Sequence, residues 1–381
     1  MRNVMTIMLI LLATLLVQVS VGVNAVMIPV HLSNMGFNKI EIGFCLSLEI
    51  FAVLCISSYI NKILSKFGLF KSLLVATLLR ALVMWRLAEL QQYWAWLMCM
   101  FLYGMCTNIF LIALQTWLGT LSLKRFSGLV IGVYSAVLAI GVALGPLALD
   151  IVGGIEGVMP FYMNAVIILV TFVPFILGFW LIPKIHSTGT ARVFYILKNA
   201  PIVMFSAFVG GITFFGLPAF STLVGIQDGL PADKAAYLIT AFMLGAICIG
   251  LILSSVSDFI GPRRLTVVCV FIGLACAVYF PLAISHYEIV LGLLFVWGGV
   301  MNGVYAMGLG ATSKFFRQED LVSANVTYGL MDCLGGVVGV FLIGVAMQLW
   351  HSEGMTYVIV AAGVIYFTFV LSQKRVLSFE T

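Results

Sequence analysis

The chain has 381 residues, 63% of them hydrophobic and only 9% charged, with a mean hydropathy of +1.18. A water-soluble domain carries roughly 25% charged residues. The ionisable side chains here, 19 basic plus 14 acidic, are too few to clothe a globular core, so a soluble protein is excluded and the apolar surface faces lipid. The formal net charge of +5 comes from basic residues scattered in ones and twos rather than in patches, which argues against nucleic acid as a partner.

A helix needs roughly 20 apolar residues to cross the hydrocarbon layer. Runs of that length are predicted at about 5–28, 41–61, 72–90, 94–118, 128–150 and 160–182. Six more follow at about 201–221, 232–256, 264–284, 287–311, 325–349 and 355–372. The first run follows a short basic leader, but it exceeds the apolar core of a signal peptide and has no Ala-x-Ala-like cleavage site behind it, so it counts as a span. Twelve spans predict an all-α integral membrane protein. Lys and Arg concentrate in alternate loops: Arg2, Lys62, Lys66, Lys71, Lys124, Arg125, Lys184, Arg192, Lys198, Arg263, Arg264, Lys314, Arg317, Lys374 and Arg375 all fall on one side, 15 of 19. By the positive-inside rule both termini are expected in the cytoplasm.

The eight cysteines all lie within apolar stretches, without metal-ligand spacing, and the four histidines fall between the apolar runs. A metal, haem or other cofactor is therefore not expected, and no arrangement of nucleophile, base or paired carboxylates suggests an enzyme.

The two halves repeat one another. Gly36 maps to Gly229 and Gly68 to Gly261, each 193 residues on, while Asn108 maps to Asn302, Tyr134 to Tyr328, Gly141 to Gly335 and Gly145 to Gly339, each 194 on. The constant offset predicts two six-helix bundles, at 1–183 and 201–381, joined by a short cytoplasmic linker at 184–200 and related by a pseudo-twofold axis along the membrane normal. A pathway between the bundles follows.

The loop after the second span of the second half reads Ser254-Ser-Val-Ser-Asp258-Phe-Ile-Gly261-Pro-Arg263-Arg264. It resembles the signature Gly-x-x-x-Asp-Arg-x-Gly-Arg-Arg of the major facilitator superfamily. Of that signature the first half keeps Lys66, Gly68 and Lys71, with Asn61 and Ser65 at the Gly and Asp positions. The fifth span carries Gly132, Gly141, Gly145 and Pro146, which resembles the superfamily's antiporter motif up to its final glycine pair, here Leu149 and Asp150. Close helix packing and bending alone also account for these residues. The resemblance implies two pseudo-symmetric bundles in a bacterial inner membrane, acting as a monomeric secondary transporter of a small organic solute by alternating access. It also implies a gating role for Gly68, Asp258, Gly261, Arg263 and Arg264, with membrane lipids as surroundings and a lean towards export; span four lacks the arginine of the superfamily's proton-transfer motif near Gly104, so protons, the expected coupling ion, must act through other residues. Proton-driven uptake of a sugar, organic acid or other metabolite, a non-transporting receptor and a lipid scramblase are the alternatives.

Ionisable groups at membrane depth cost at least about 2.5–3.5 kcal/mol each and propose sites. Glu49 and Arg80 lie at similar depths on consecutive spans, which predicts an ion pair that is either structural or a proton-coupling device. Asp332 has no basic residue at its depth and is a second protonatable candidate. Uncharged polar residues on spans that line the superfamily's cavity are Gln18, Asn24, Asn108, Gln115, Tyr134, Asn302, Tyr305 and Tyr328, each able to contact substrate or to bond a neighbouring helix.

Overall fold

The computed structural model describes residues 2–119, 121, 127–182, 193–316 and 318–372. Helix is the structure expected of a chain in lipid, where backbone groups must find their hydrogen bonds within the segment. The first half comprises α1 (Arg2–Asn34), α2 (Lys39–Phe67), α3 (Leu69–Leu87), α4 (Tyr93–Gly119), α5 (Ser127–Ala143), α6 (Gly145–Asp150), α7 (Met159–Val170) and α8 (Val173–Leu177). After the short α9 (Val193–Asn199), the second half comprises α10 (Pro201–Gln227), α11 (Ala232–Ile260), α12 (Pro262–Ala283), α13 (Tyr287–Phe315), α14 (Gln318–Trp350) and α15 (Glu353–Ser372).

Ten helical stretches are long and apolar enough to span a membrane, and Glu353–Phe369 is a shorter apolar one. With α3, whose apolar run is interrupted by Lys71, Arg80 and Arg86, these make the twelve predicted crossings. Two crossings are broken. Pro146 divides the fifth into α5 and α6, and the sixth is split at Thr171 and Phe172 just ahead of Pro174, because proline supplies no backbone donor and suits a first helical turn. The stretch expected to be only a linker is in part the helix α9, while positions 184–192 lie outside the described residues.

Since consecutive crossings alternate in direction, one face of the molecule holds the start of α1 and the end of α15 (the termini face) and the other the loops near residues 36, 90, 155, 229, 285 and 351 (the far face). Turns repeat between the halves. Gly36 and Gly229 on the far face have φ +88° and +92°, and Gly68 and Gly261 on the termini face have φ +79° and +92°, in a region that a side chain strains. Each of the last two amides closes a helix end, Gly68 N–H on Leu64 O and Gly261 N–H on Ser257 O. The α2 start carries a capping box, with Asn38 accepting from the Glu41 amide and Glu41 accepting from the Asn38 amide.

The repeat extends to packing. A Cβ on Gly104 would lie 2.1 Å from the carbonyl oxygen of Glu49, and one on Gly298 would lie 1.9 Å from that of Phe242. Gly141 faces Leu15 O and Gly335 faces Phe208 O in the same way. These partners stand 193 or 194 residues apart throughout, so α2 meets α4 as α11 meets α13, and α1 meets α5 as α10 meets α14. Without a hydrophobic drive between helices in lipid, such close backbone approach through small residues is what holds each bundle together.

One apolar core joins both bundles in the far half, from Val23, Met27, Ile42, Leu87 and Trp96 to Leu217, Phe220, Ile239, Phe242 and Ile343. In the termini half it divides. The first bundle has its own cluster around Val17, Ile60, Leu73, Phe110 and Trp117. The second has another around Met204, Ala207, Ala324 and Tyr328, and the shared core reaches down within that bundle, along α12, α13 and α15.

Candidate functional site

The helices that meet across the two bundles do so near the far face. On one side α2 lies against α14: Gly43 and Gly344 pack backbone to backbone, a Cβ on Gly43 falling 3.0 Å from Gly344 Cα. The Lys39 amide donates to Gln348 Oε1 (3.0 Å), and Phe44 meets Phe341 edge to face at 6.2 Å. On the other side Thr240 Oγ1 on α11 donates to the Ala143 carbonyl at the break between α5 and α6 (2.8 Å), and the Tyr237 hydroxyl donates to the Asp150 carboxylate. The bundles thus form a wedge, with one shared core at the far face and separate cores at the termini face among the described residues.

Inside the first bundle runs a buried polar network. Arg80 is wholly enclosed, with its guanidinium over the rings of Tyr103 and Phe110 at 4.9 and 5.8 Å. Its Nη2 donates to the Tyr103 hydroxyl (2.9 Å), which lies 3.1 Å from Ser20 Oγ and is free to donate to it. One turn along α1, Asn164 Nδ2 donates to Asn24 Oδ1 (2.6 Å) and to the Ser20 carbonyl (3.4 Å).

The expected Glu49–Arg80 ion pair is not formed: no nitrogen–oxygen distance of 4.0 Å or less joins them. The reason is packing. Consecutive helices were expected to be neighbours, but α3 lies mainly on α4 and α7 and only lightly on α2, so Arg80 turns to Tyr103 on α4. Arg86, near its helix end, forms an exposed ion pair with Glu89 instead (3.5 Å).

Of the polar cavity candidates, Asn24, Tyr328, Asn108, Asn302 and Gln18 direct their polar groups to other helices of their own bundle. Asn24 accepts from Asn164, and the Tyr328 hydroxyl donates to the Tyr305 carbonyl (3.2 Å) from a pocket opened by Gly308. Asn108 Nδ2 donates to the Val53 carbonyl (3.2 Å) and to Ser57 Oγ (3.2 Å), and its repeat mate Asn302 donates to the Ala246 carbonyl (2.8 Å), again 193 residues on from Val53. Tyr134 is buried facing Thr14 and Gln115. Gln18 is half-buried with Nε2 donating to Leu138 O (3.4 Å), Gln115 is exposed, and Tyr305 is half-buried with its ring edge to face against Tyr328. Ser20, Tyr103 and Asn164 were not singled out by sequence; two uncharged residues and a serine at matching depth were the only signal.

Asp332 is half-buried, with Oδ1 enclosed and without a hydrogen-bond partner among the described residues. In the fifth-span motif, Gly141 and Gly145 each meet α1 backbone or Cβ at 2.3 Å, whereas a Cβ on Gly132 meets nothing within 4 Å, so Gly132 is no packing residue. In the loop motif Gly68 and Gly261 make equivalent turns and Arg264 is exposed, while the Asp258 and Arg263 side chains lie outside the described residues. Among the described residues no three possible metal ligands gather.

The family model described as Major Facilitator Superfamily matches residues 10–239 and again 203–377. Among curated proteins, the chain is similar to YfkF of Bacillus subtilis (strain 168), described as an uncharacterized MFS-type transporter, at 23% identity over 81% of this chain and 80% of that one. It is also similar to YcaD of Escherichia fergusonii, likewise described, at 20% identity over 97% of this chain and 96% of that one. Among solved structures, the nucleoside transporter NupG superposes with a TM-score of 0.80 over 98% of this chain and all of that one, at 12% identity, a likeness of fold.

Proposed function

We propose that this chain, which belongs to the major facilitator superfamily, is a proton-coupled secondary transporter that exports a small organic solute by alternating access, working as a monomer in an inner membrane with both termini cytoplasmic. The observation that carries this reading is the wedge: one core shared at the far face, two separate cores at the termini face, and cross-bundle contacts made of single hydrogen bonds and glycine seams that rocking can undo. With 15 of 19 basic residues towards the termini face, the wedge opens to the cytoplasm. Glu49 is the coupling residue. It stands beside the Arg80 charge without being bonded to it, so a proton can neutralise it while Arg80 stays held by Tyr103.

Purified protein in liposomes should move at least one member of a panel of sugars, organic acids, amines, nucleosides and amphipathic drugs when a pH gradient is imposed, nucleosides being included because NupG shares the fold. Glu49→Gln should still exchange solute down its own gradient but lose its response to the pH gradient. Proton-driven flux that is unchanged in Glu49→Gln removes the coupling role.

A further inference from the structure

The second bundle holds one carboxylate between its helix ends, Asp332, 12 residues along α14 from the Gly344 seam. At about 1.5 Å per residue this is on the order of 18 Å towards the termini face, in the region where the bundles no longer share a core. Its backbone is locked, since Gly211 of α10 packs on the Asp332 carbonyl, so the carboxylate has little freedom to withdraw. Tyr328 stands one helical turn before it on α14, and the ring of Tyr305 from α13 meets that of Tyr328 edge to face at 5.2 Å. The carboxylate takes part in no ion pair among the described residues, and Oδ1 accepts no hydrogen bond.

The charges elsewhere in the wedge sharpen this. Arg80, the basic residue at membrane depth in the first bundle, is enclosed under Tyr103 and Phe110 with no exposed surface, so it offers nothing to a solute. Glu49, like Asp332, is half-buried. Among the described residues, the partly exposed charges at membrane depth are therefore negative, which repels an anionic solute and leaves a carboxylate without a partner beside an aromatic pair. A carboxylate with a π surface next to it suits a cationic nitrogen or other organic onium group. An inorganic ion, by contrast, wants several ligands at once, and no such group gathers here among the described residues.

We infer that Asp332 and Tyr305 receive the positively charged group of the solute, and that the substrates of this protein are amphipathic organic cations. The inference rests on the transporter reading and narrows its substrate class.

The test uses the full-length protein in detergent at pH 8 with tetraphenylphosphonium as probe and uncharged triphenylphosphine oxide as control, read by calorimetry. The wild type should bind the cation and not the oxide. Asp332→Asn should weaken cation binding at least about tenfold, as for one lost charge-assisted contact, with an unchanged melting temperature. Asp332→Glu should retain part of the affinity, and Tyr305→Leu, which leaves the carboxylate in place, should lose a few-fold. Equal affinity of wild type and Asp332→Asn for the probe, or wild type that binds the oxide as well as the cation, overturns the inference. In liposomes, gradient-driven flux of neutral or anionic solutes without flux of tetraphenylphosphonium or ethidium also overturns it while leaving the transporter reading intact. Cation binding lost in Asp332→Asn, together with no gradient-driven flux of any solute, upholds the site and contradicts transport.

Discussion

Gly104→Val should abolish the folded protein, giving no monodisperse species in detergent, and Gly298→Val should do the same. At each position the new Cβ would sit about 2 Å from a carbonyl oxygen of the facing helix, 2.1 Å from Glu49 O and 1.9 Å from Phe242 O. Those partners are backbone atoms, so no side chain can rotate away and the helices must separate along their whole contact. Ordinary overpacking of a core costs about 1–3 kcal/mol. Here the loss extends to every close contact of α2 with α4, or of α11 with α13, and in lipid no hydrophobic effect draws the helices back together. Gly132→Ala is the matched control: a Cβ there meets nothing within 4 Å, and the variant should purify and melt like the wild type. Size-exclusion chromatography and thermal unfolding of the three variants check the contrast.

The second large effect concerns Arg80. Arg80→Met should destabilise the protein by roughly 1.5–3 kcal/mol, the range for a hydrogen bond that involves a charged group. It removes the donor to Tyr103 and leaves Glu49 without a compensating charge, although the two are not bonded. Adding Glu49→Gln to Arg80→Met should recover a substantial part of that loss, because the carboxylate no longer has to be ionised or protonated near an apolar neighbour. A double-mutant cycle from denaturant or thermal unfolding measures the coupling. Additive losses would mean that Arg80 acts only through Tyr103 and Ser20 and that Glu49 is independent of it.

The number of crossings and the internal repeat were legible because lipid imposes both: a span must be long and apolar, and a duplicated bundle keeps its turn and crossing glycines. Gly36 with Gly229 and Gly68 with Gly261 are such turns, each at positive φ. What could not be read was the rotation of each helix about its axis. Glu49 and Arg80 have matching depths, yet depth does not say which helix a side chain faces, and α3 turns out to pack on α4 and α7. The same limit explains Asn108 and Asn302, whose equivalence showed in the sequence while their role, binding carbonyls at Val53 and Ala246, depends on which helix lies opposite. Gly132 fits a motif by spacing alone and faces open space, whereas Gly141 and Gly145 of the same motif touch α1. The broken fifth and sixth crossings did have a signal, in Pro146 and Pro174, that a count of apolar residues passes over.

In the proposed mechanism the two bundles rock about the wedge, closing one face as the other opens. Its most direct measurement is the distance between spin labels in liposomes, in a chain whose eight native cysteines are replaced. One pair of labels goes at Phe67 and Ile260 on the termini face and another at Asn34 and Asp228 on the far face. Both pairs should give two populations whose weights shift in opposite senses when the internal pH is changed, the termini-face distance shortening as the far-face distance lengthens. A single distance at each face, unmoved by pH, would contradict the account.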